Sequence, residues 1–232
     1  MIVAACQVDA AYSPDRRVDL GRRMQRLAAQ GASLVVLPEL ALTGYDLADD
    51  LRALAARFRG DLKWLQTTAA DLGVVIVTSM ITTDAAGLRD RAVVVDPSGA
   101  VGWADKRFLW GDERQLFVPG SAAPLVVETA AGVVGVAVCF EAGFPEVVRN
   151  LSVRGAQLIA VPAAFGRARV QAWELSTRSR ALENGVYMVA AGFAGANPHG
   201  VEFCGRSRVV GPRGDLAATL ATEPGDVLAH VD

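Results

Sequence analysis

The residues with the most chemical potential stand where apolar runs stop. Val133, Val134, Val136, Ala137 and Val138 read as a buried strand, and the run ends on a thiol, Cys139, followed by Phe140 and Glu141. Gly143 and Pro145 punctuate the chain before Glu146 opens a helical pattern. A strand that delivers one thiol to a sharp turn at a helix start exposes a nucleophile. The unpaired N–H groups and electropositive helix end expected there favour thiolate and a developing oxyanion. Glu39 follows Val35-Val36-Leu37-Pro38 in the same way, and Lys106 follows the run that ends at Asp105. Strand ends are where α/β sheets collect their binding sites, and a carboxylate, an ammonium and a thiol form a coherent set. Glu39 could take the thiol proton, Cys139 could attack an electrophilic carbon, and Lys106 could stabilise the oxyanion. Taken singly, each has a plainer reading: Glu39 as a turn cap, Lys106 as a solvated neighbour of Arg107, and Cys139 as a core thiol. A Cys–His dyad would have to use His199, in a Gly/Pro-rich loop, because the only other histidine, His230, falls in the last strand.

The elements that must position these groups follow from the hydrophobic pattern. Strands are predicted at 2–8, 34–37, 74–79, 92–95, 101–104, 125–127, 133–138, 158–161, 186–193, 203–210, 216–220 and 227–231. Helices are predicted at 14–30, with Ser13 in the turn Tyr12-Ser13-Pro14 as N-cap, and at 47–72, broken near Arg59-Gly60-Asp61. Two more are predicted at 146–154 and 170–184, the latter closed by Gly185. Residues 107–120 read as a long irregular loop that mixes Phe108, Trp110 and Phe117 with charges, a candidate functional loop. Strands alternate with both helices and hairpins, so helices should cover one face of each of two sheets that pack on each other, a four-layer α/β/β/α sandwich. No linker, low-complexity stretch or repeat divides the chain, and residues 1–232 read as one domain.

Composition narrows the partners. Of 232 residues 52% are hydrophobic, enough for a sizeable core, and the net charge of −2 offers no basic field for nucleic acid and no polybasic membrane anchor. No apolar run approaches the ~20 residues a bilayer demands, and the first strand begins without a charged leader region. Three cysteines, Cys6, Cys139 and Cys204, lie far apart with no paired spacing, which argues for a reducing, cytoplasmic compartment and against a metal site.

Three motifs in order then resemble the nitrilase superfamily of carbon–nitrogen hydrolases. They are Leu37-Pro38-Glu39 with Leu42-Thr43-Gly44-Tyr45, Asp105-Lys106 with Leu109 and Phe117-Val118-Pro119-Gly120, and Val138-Cys139-Phe140-Glu141 with Phe144-Pro145-Glu146. The resemblance runs from Val3 almost to the C-terminus and implies the α/β/β/α sandwich of that family. It also implies a Glu-Lys-Cys triad of Glu39 as general base, Lys106 and the nucleophile Cys139. Glu113 falls where the family has a second glutamate that positions substrate and lysine. Tyr45, Trp110, Phe140, Ala164 and Phe165 become candidate substrate contacts, the last two from Pro162-Ala163-Ala164-Phe165. The implied chemistry is hydrolysis of a small amide to acid and ammonia through a Cys thioester, with no metal or organic cofactor. Nitrile and N-carbamoyl hydrolysis use the same triad. A non-catalytic, partner-binding relative is the reading from another class, and the intact set of three chemical types argues against it. The resemblance further implies a homodimer or higher assembly, although the chain stops at Asp232 without the extended tail of many members. Two departures bear on specificity: Phe108 stands where many members have His, and Gly143 where many have Arg.

Overall fold

Period-two burial sorts the strands into layers. In the computed structural model, which describes residues 1–232 except Tyr12, Pro14 and Ala122, β1 (Ile2–Asp9) sends Val3 and Ala5 to one face and Ala4, Cys6 and Val8 to the other. β2 (Ala32–Val36) and β3 (Val75–Asp84) divide the same way, with Leu34, Val36, Val75 and Val77 inward and Val35 and Ile76 outward. β1, β2 and β3 run parallel through helical crossovers, and β4 (Gly87–Val95) and β5 (Val101–Asp105) continue the sheet antiparallel. On the other edge, β13 (Gly225–His230) pairs antiparallel with most of β1, and the two-residue β10 (Phe193–Ala194) pairs with its end. The outer face is covered by α1 (Arg16–Ala29) and α3 (Phe58–Leu72), whose Leu20, Met24, Leu27, Leu65 and Ala69 pack on the outward row.

The second sheet has the order β12-β11-β9-β8-β7-β6. Its strands are β6 (Val126–Thr129), β7 (Gly132–Val136), β8 (Leu158–Pro162), β9 (Tyr187–Ala191), β11 (Arg208–Val210) and β12 (Leu216–Thr219). Helices α5 (Pro145–Val153) and α6 (Val170–Asn184) cover it with Val147, Val148, Leu151, Trp173 and Ala181. β2 and β3 lie against β8, and β1 and β2 against β9, so the two inner faces form one core and the layers stack α/β/β/α as anticipated. Among the described residues no helix is long and apolar enough to cross a membrane.

Three local expectations are corrected. Asp15, not Ser13, occupies the N-cap of α1, with no side-chain cap bond; Tyr12 and Pro14 of the expected turn lie outside the described residues. Arg16 ties this helix start to β1 instead, donating to the carbonyls of Asp9 (3.0 Å) and Ala11 (2.6 Å). The expected helix break falls at Arg57, between α2 (Leu51–Ala56) and α3, because buried Asp61 pairs with Arg17 and Arg57 and holds Gly60-Asp61 in the helix. β4 begins at Gly87 rather than residue 92, which brings Asp90 into the sheet.

Candidate active site

Each predicted catalytic side chain sits on backbone that the sheets hold in an unusual path. Beyond β2, Leu37 N–H still bonds Val77 O at 2.8 Å, the Thr78 hydroxyl donates to Pro38 O at 2.7 Å, and Leu40 N–H donates to Ser79 Oγ at 3.1 Å. These clamps fix Glu39 just before Leu40, a non-glycine residue with φ of 52°. Lys106 follows β5; its N–H bonds Asp90 O and its carbonyl accepts from Gly120 N, both at 2.8 Å. A Cβ on Gly120 would stand 2.1 Å from Asp105 O, so only glycine allows this approach. Cys139 opens a 3-10 turn, Cys139–Gly143, with φ of 48°, a strained conformation of the kind that clusters at functional sites. The carboxylate of Glu141 accepts from Val138 N and Arg107 N, both at 2.9 Å, so one buried group ties the cysteine turn to the lysine loop.

Lys106 is the hub. Its Nζ lies 2.6 Å from Glu39 Oε1, 2.8 and 2.7 Å from the two oxygens of Glu113, and 3.8 Å from Asp90 Oδ2. Glu113 opens the short helix α4 (Glu113–Leu116) and also accepts from Tyr45 OH at 2.5 Å and Trp110 N at 2.7 Å. Cys139 is 6% exposed; Ala164 N–H points at its sulfur at 3.4 Å, and Glu39, Lys106 and Glu113 all act on its charge.

Electrostatics inverts one expectation. The α5 helix begins at Pro145, beyond the 3-10 turn, and the Cys139 thiol is not acidified. Burial raises its pKa well above the usual thiol range and Glu39 adds to the rise, against the opposing pull of Lys106. Burial likewise raises Glu39, opposed by Lys106 and reinforced by Glu113 and Asp90. For Lys106, burial pulls downward, but Glu39, Cys139, Asp90 and Glu113 together hold it protonated. The arrangement is a protonated thiol beside a carboxyl of raised proton affinity and a fixed ammonium. Such a set can move a proton from sulfur to carboxyl while the ammonium faces developing negative charge.

The expected wall residues are distributed around this centre. Trp110 packs on Phe140 with ring centroids 4.8 Å apart, and Phe140 meets Phe144 edge-on at 4.9 Å. The guanidinium of Arg169 lies 4.2 Å from the Trp110 ring centroid. Phe165 packs against Trp173 at 4.9 Å, and Tyr45 meets Phe203 edge-on at 6.0 Å. Phe108 stacks on Phe144 at 4.6 Å, and the carbonyl of Gly143 accepts from Arg180 at 2.9 Å, which brings a guanidinium from α6 to that position. His199 is bound to Asp46 at 2.6 Å, and among the described residues the Cys139 sulfur has its hydrogen bond from Ala164 N–H and none from His199, so the Cys–His alternative is not assembled. Among the described residues no cluster of three or more His, Cys, Asp or Glu side chains is arranged to hold a metal ion. Sequence reasoning missed Asp90 and the bridging role of Glu141. The signal for Asp90 was there, since Leu88, Asp90 and Ala92 alternate with Arg89 and Arg91 at strand period.

The carbon-nitrogen hydrolase family model matches residues 2–232. A protein named nitrilase from Pyrococcus abyssi is 34% identical over 94% of this chain and 84% of its own length. A 2-oxoglutaramate amidase from Bacillus subtilis is 27% identical over 99% of this chain and 90% of its own. Among solved structures, the amidase from Nesterenkonia sp. AN1, in a glutamate-to-glutamine mutant with acrylamide added at its active-site cysteine, superposes with a TM-score of 0.93. The match is 30% identical and covers 100% of this chain and 93% of that one. With the motifs in order, the sandwich formed and the match running nearly end to end, the chain belongs to the carbon-nitrogen hydrolase family.

Proposed function

We propose that the protein is an amidase that converts a small amide to its acid and ammonia through a thioester on Cys139, with residues 1–232 working as one catalytic domain. The observation that carries this reading is the buried Lys106 ammonium, within 2.8 Å of both Glu39 and Glu113 and electrostatically coupled to Cys139. Glu39 takes the Cys139 proton as the sulfur attacks the amide carbon. Lys106 and the Phe140 N–H hold the oxyanion, a contribution on the order of 10² or more in rate. Protonated Glu39 then passes its proton to the leaving nitrogen and activates the water that releases the acid. Glu113, fixed by Tyr45 and the Trp110 N–H, orients Lys106 and the amide. The aromatic faces of Trp110 and Phe140, with Ala164 and Phe165 behind the sulfur, suit a short, mainly apolar acyl group. A solved complex of the Nesterenkonia amidase with butyramide, 31% identical with a TM-score of 0.91 over 99% of this chain and 90% of that one, supports the same size class.

The protein acts in the cytoplasm, a reading supported by its three unpaired cysteines. It works as a homodimer or higher homo-oligomer in which a second copy covers Val153, Leu175 and Leu182, exposed on α5 and α6. The functional test is ammonia release from a panel of primary amides, nitriles and N-carbamoyl compounds by wild type and Cys139→Ala. Turnover of a short amide that disappears in the variant supports the reading, and turnover that survives the substitution overturns it.

A further inference from the structure

We propose that Asp90 is a positioning residue that shares one proton with Glu39 and so fixes the carboxyl that exchanges protons with Cys139. The inference rests on the amidase reading of this same site and adds a residue to it.

Asp90 occupies an inward position on β4 and is 2% exposed. Its nearer oxygen stands 3.8 Å from Lys106 Nζ, beyond hydrogen-bond length, and among the described residues the Ser79 hydroxyl beside it is its one neutral donor. Glu39 Oε2 is buried and without a donor among the described residues. Both carboxyls sit against the same ammonium, Glu39 Oε1 at 2.6 Å and Asp90 Oδ2 at 3.8 Å from Lys106 Nζ, and each acts on the other's proton affinity. Two buried carboxyls so placed are satisfied only when a proton lies between them, and like charges so close cannot both persist. The inventory of neighbours points the same way. Glu39, Asp90 and Glu113 surround a single ammonium, Lys106, and Glu113 already receives donors from Lys106, Tyr45 and Trp110. Ser79 borders Asp90, and Tyr45 and Cys139 complete the titratable groups around Glu39. Arg89 and Arg91 flank Asp90 in the chain but pair with Asp84 and Asp105.

The proton count balances through the acylation half of the reaction. At rest the Glu39–Asp90 pair holds one proton and Cys139 another. As the S–C bond forms, the thiol proton passes to Glu39, the pair holds two, and the carbonyl electrons move onto oxygen. When the C–N bond breaks, the pair gives one proton to nitrogen and returns to its resting state.

Asp90→Asn keeps the shape and removes the shared acid, so it separates proton sharing from packing. The measurement is the rate of Cys139 alkylation by iodoacetamide across pH in wild type and D90N, read by peptide mass spectrometry, with the pH profile of kcat/KM alongside. The shared proton stabilises the singly charged pair, so in D90N, where an amide replaces the shared acid, Glu39 becomes the stronger base. The acid limb of both profiles then moves to higher pH by about one unit or more, and the alkaline change set by loss of the shared proton disappears. A folded D90N with an unmoved acid limb and a reactive Cys139 overturns the proposal. A wild-type Cys139 no more reactive than Cys6 or Cys204 overturns the nucleophile reading, and the pair's role with it. Should D90N fail to fold, infrared spectroscopy of the wild type decides: a buried protonated carboxyl at neutral pH supports the pair, and its absence removes it.

Discussion

Glu39, Asp90 and Cys139 all hold protons more tightly in the folded site than in an unfolded chain, because burial disfavours their charged forms. For a carboxyl this has a fixed sign. The native state binds more protons than the unfolded one between the ordinary carboxylate pKa and the raised value, so stability falls as pH rises through that window. Glu39→Gln removes one such group. E39Q is therefore expected to melt above wild type at neutral pH, with the gap closing below about pH 4 as both carboxyls protonate. Its turnover falls by a factor of ~10² or more, since Gln cannot carry the thiol proton. Thermal melts across pH, paired with ammonia release, check both halves; equal melting at every pH contradicts the burial argument. Stability is here set against function at a single residue.

At the scale of elements, the site depends on strand ends held by a few backbone bonds. Glu141 joins the cysteine turn to the lysine loop through two charge-assisted bonds to backbone N–H groups. Glu141→Gln leaves one acceptor in place of two and introduces a donor facing an N–H. The expected loss is about 2 kcal/mol, or about 4–8 °C in Tm, with slower alkylation of Cys139. Gly120→Ala forces a Cβ into Asp105 O and displaces the loop that carries Lys106. We expect kcat to fall at least ~10-fold while the scaffold stays folded, as measured by turnover and circular dichroism. Most of this framework was legible beforehand, because β-branched runs such as Leu34-Val35-Val36 and Val133-Val134 have no competing helical pattern. The proposed Glu39, Lys106 and Cys139 were legible for the same reason, each being a polar residue that interrupts such a run. What escaped was decided by tertiary pairing. Leu88, Asp90 and Ala92 alternate with Arg89 and Arg91 at strand period, but only the bonds of Arg89 to Asp84 and Arg91 to Asp105 show which side chains face out and that Asp90 faces in. The 3-10 turn at Cys139, which replaces a helix start, follows from the Glu141 carboxylate reaching back to Val138 N–H, a contact no period reveals.

For the whole molecule, the two sheets bring together residues from distant parts of the chain, Glu39 after β2, Lys106 after β5 and Cys139 after β7. The order of strands explains why the first sheet cannot be read off locally: β13, though last in sequence, pairs antiparallel with β1, the first strand. The exposed Leu175 and Leu182 lie seven residues apart, two turns of α6, and form an apolar strip that no described residue covers. Replacing both by Glu is expected to shift sedimentation from an oligomer to a monomer; an unchanged coefficient contradicts the assembly reading. The chemistry itself is tested most directly by quenching the enzyme during turnover of a short amide and measuring its intact mass and peptide map. The account predicts an acyl adduct on Cys139 that disappears in Cys139→Ala. Ammonia release without any adduct, or with the adduct on another residue, would contradict it.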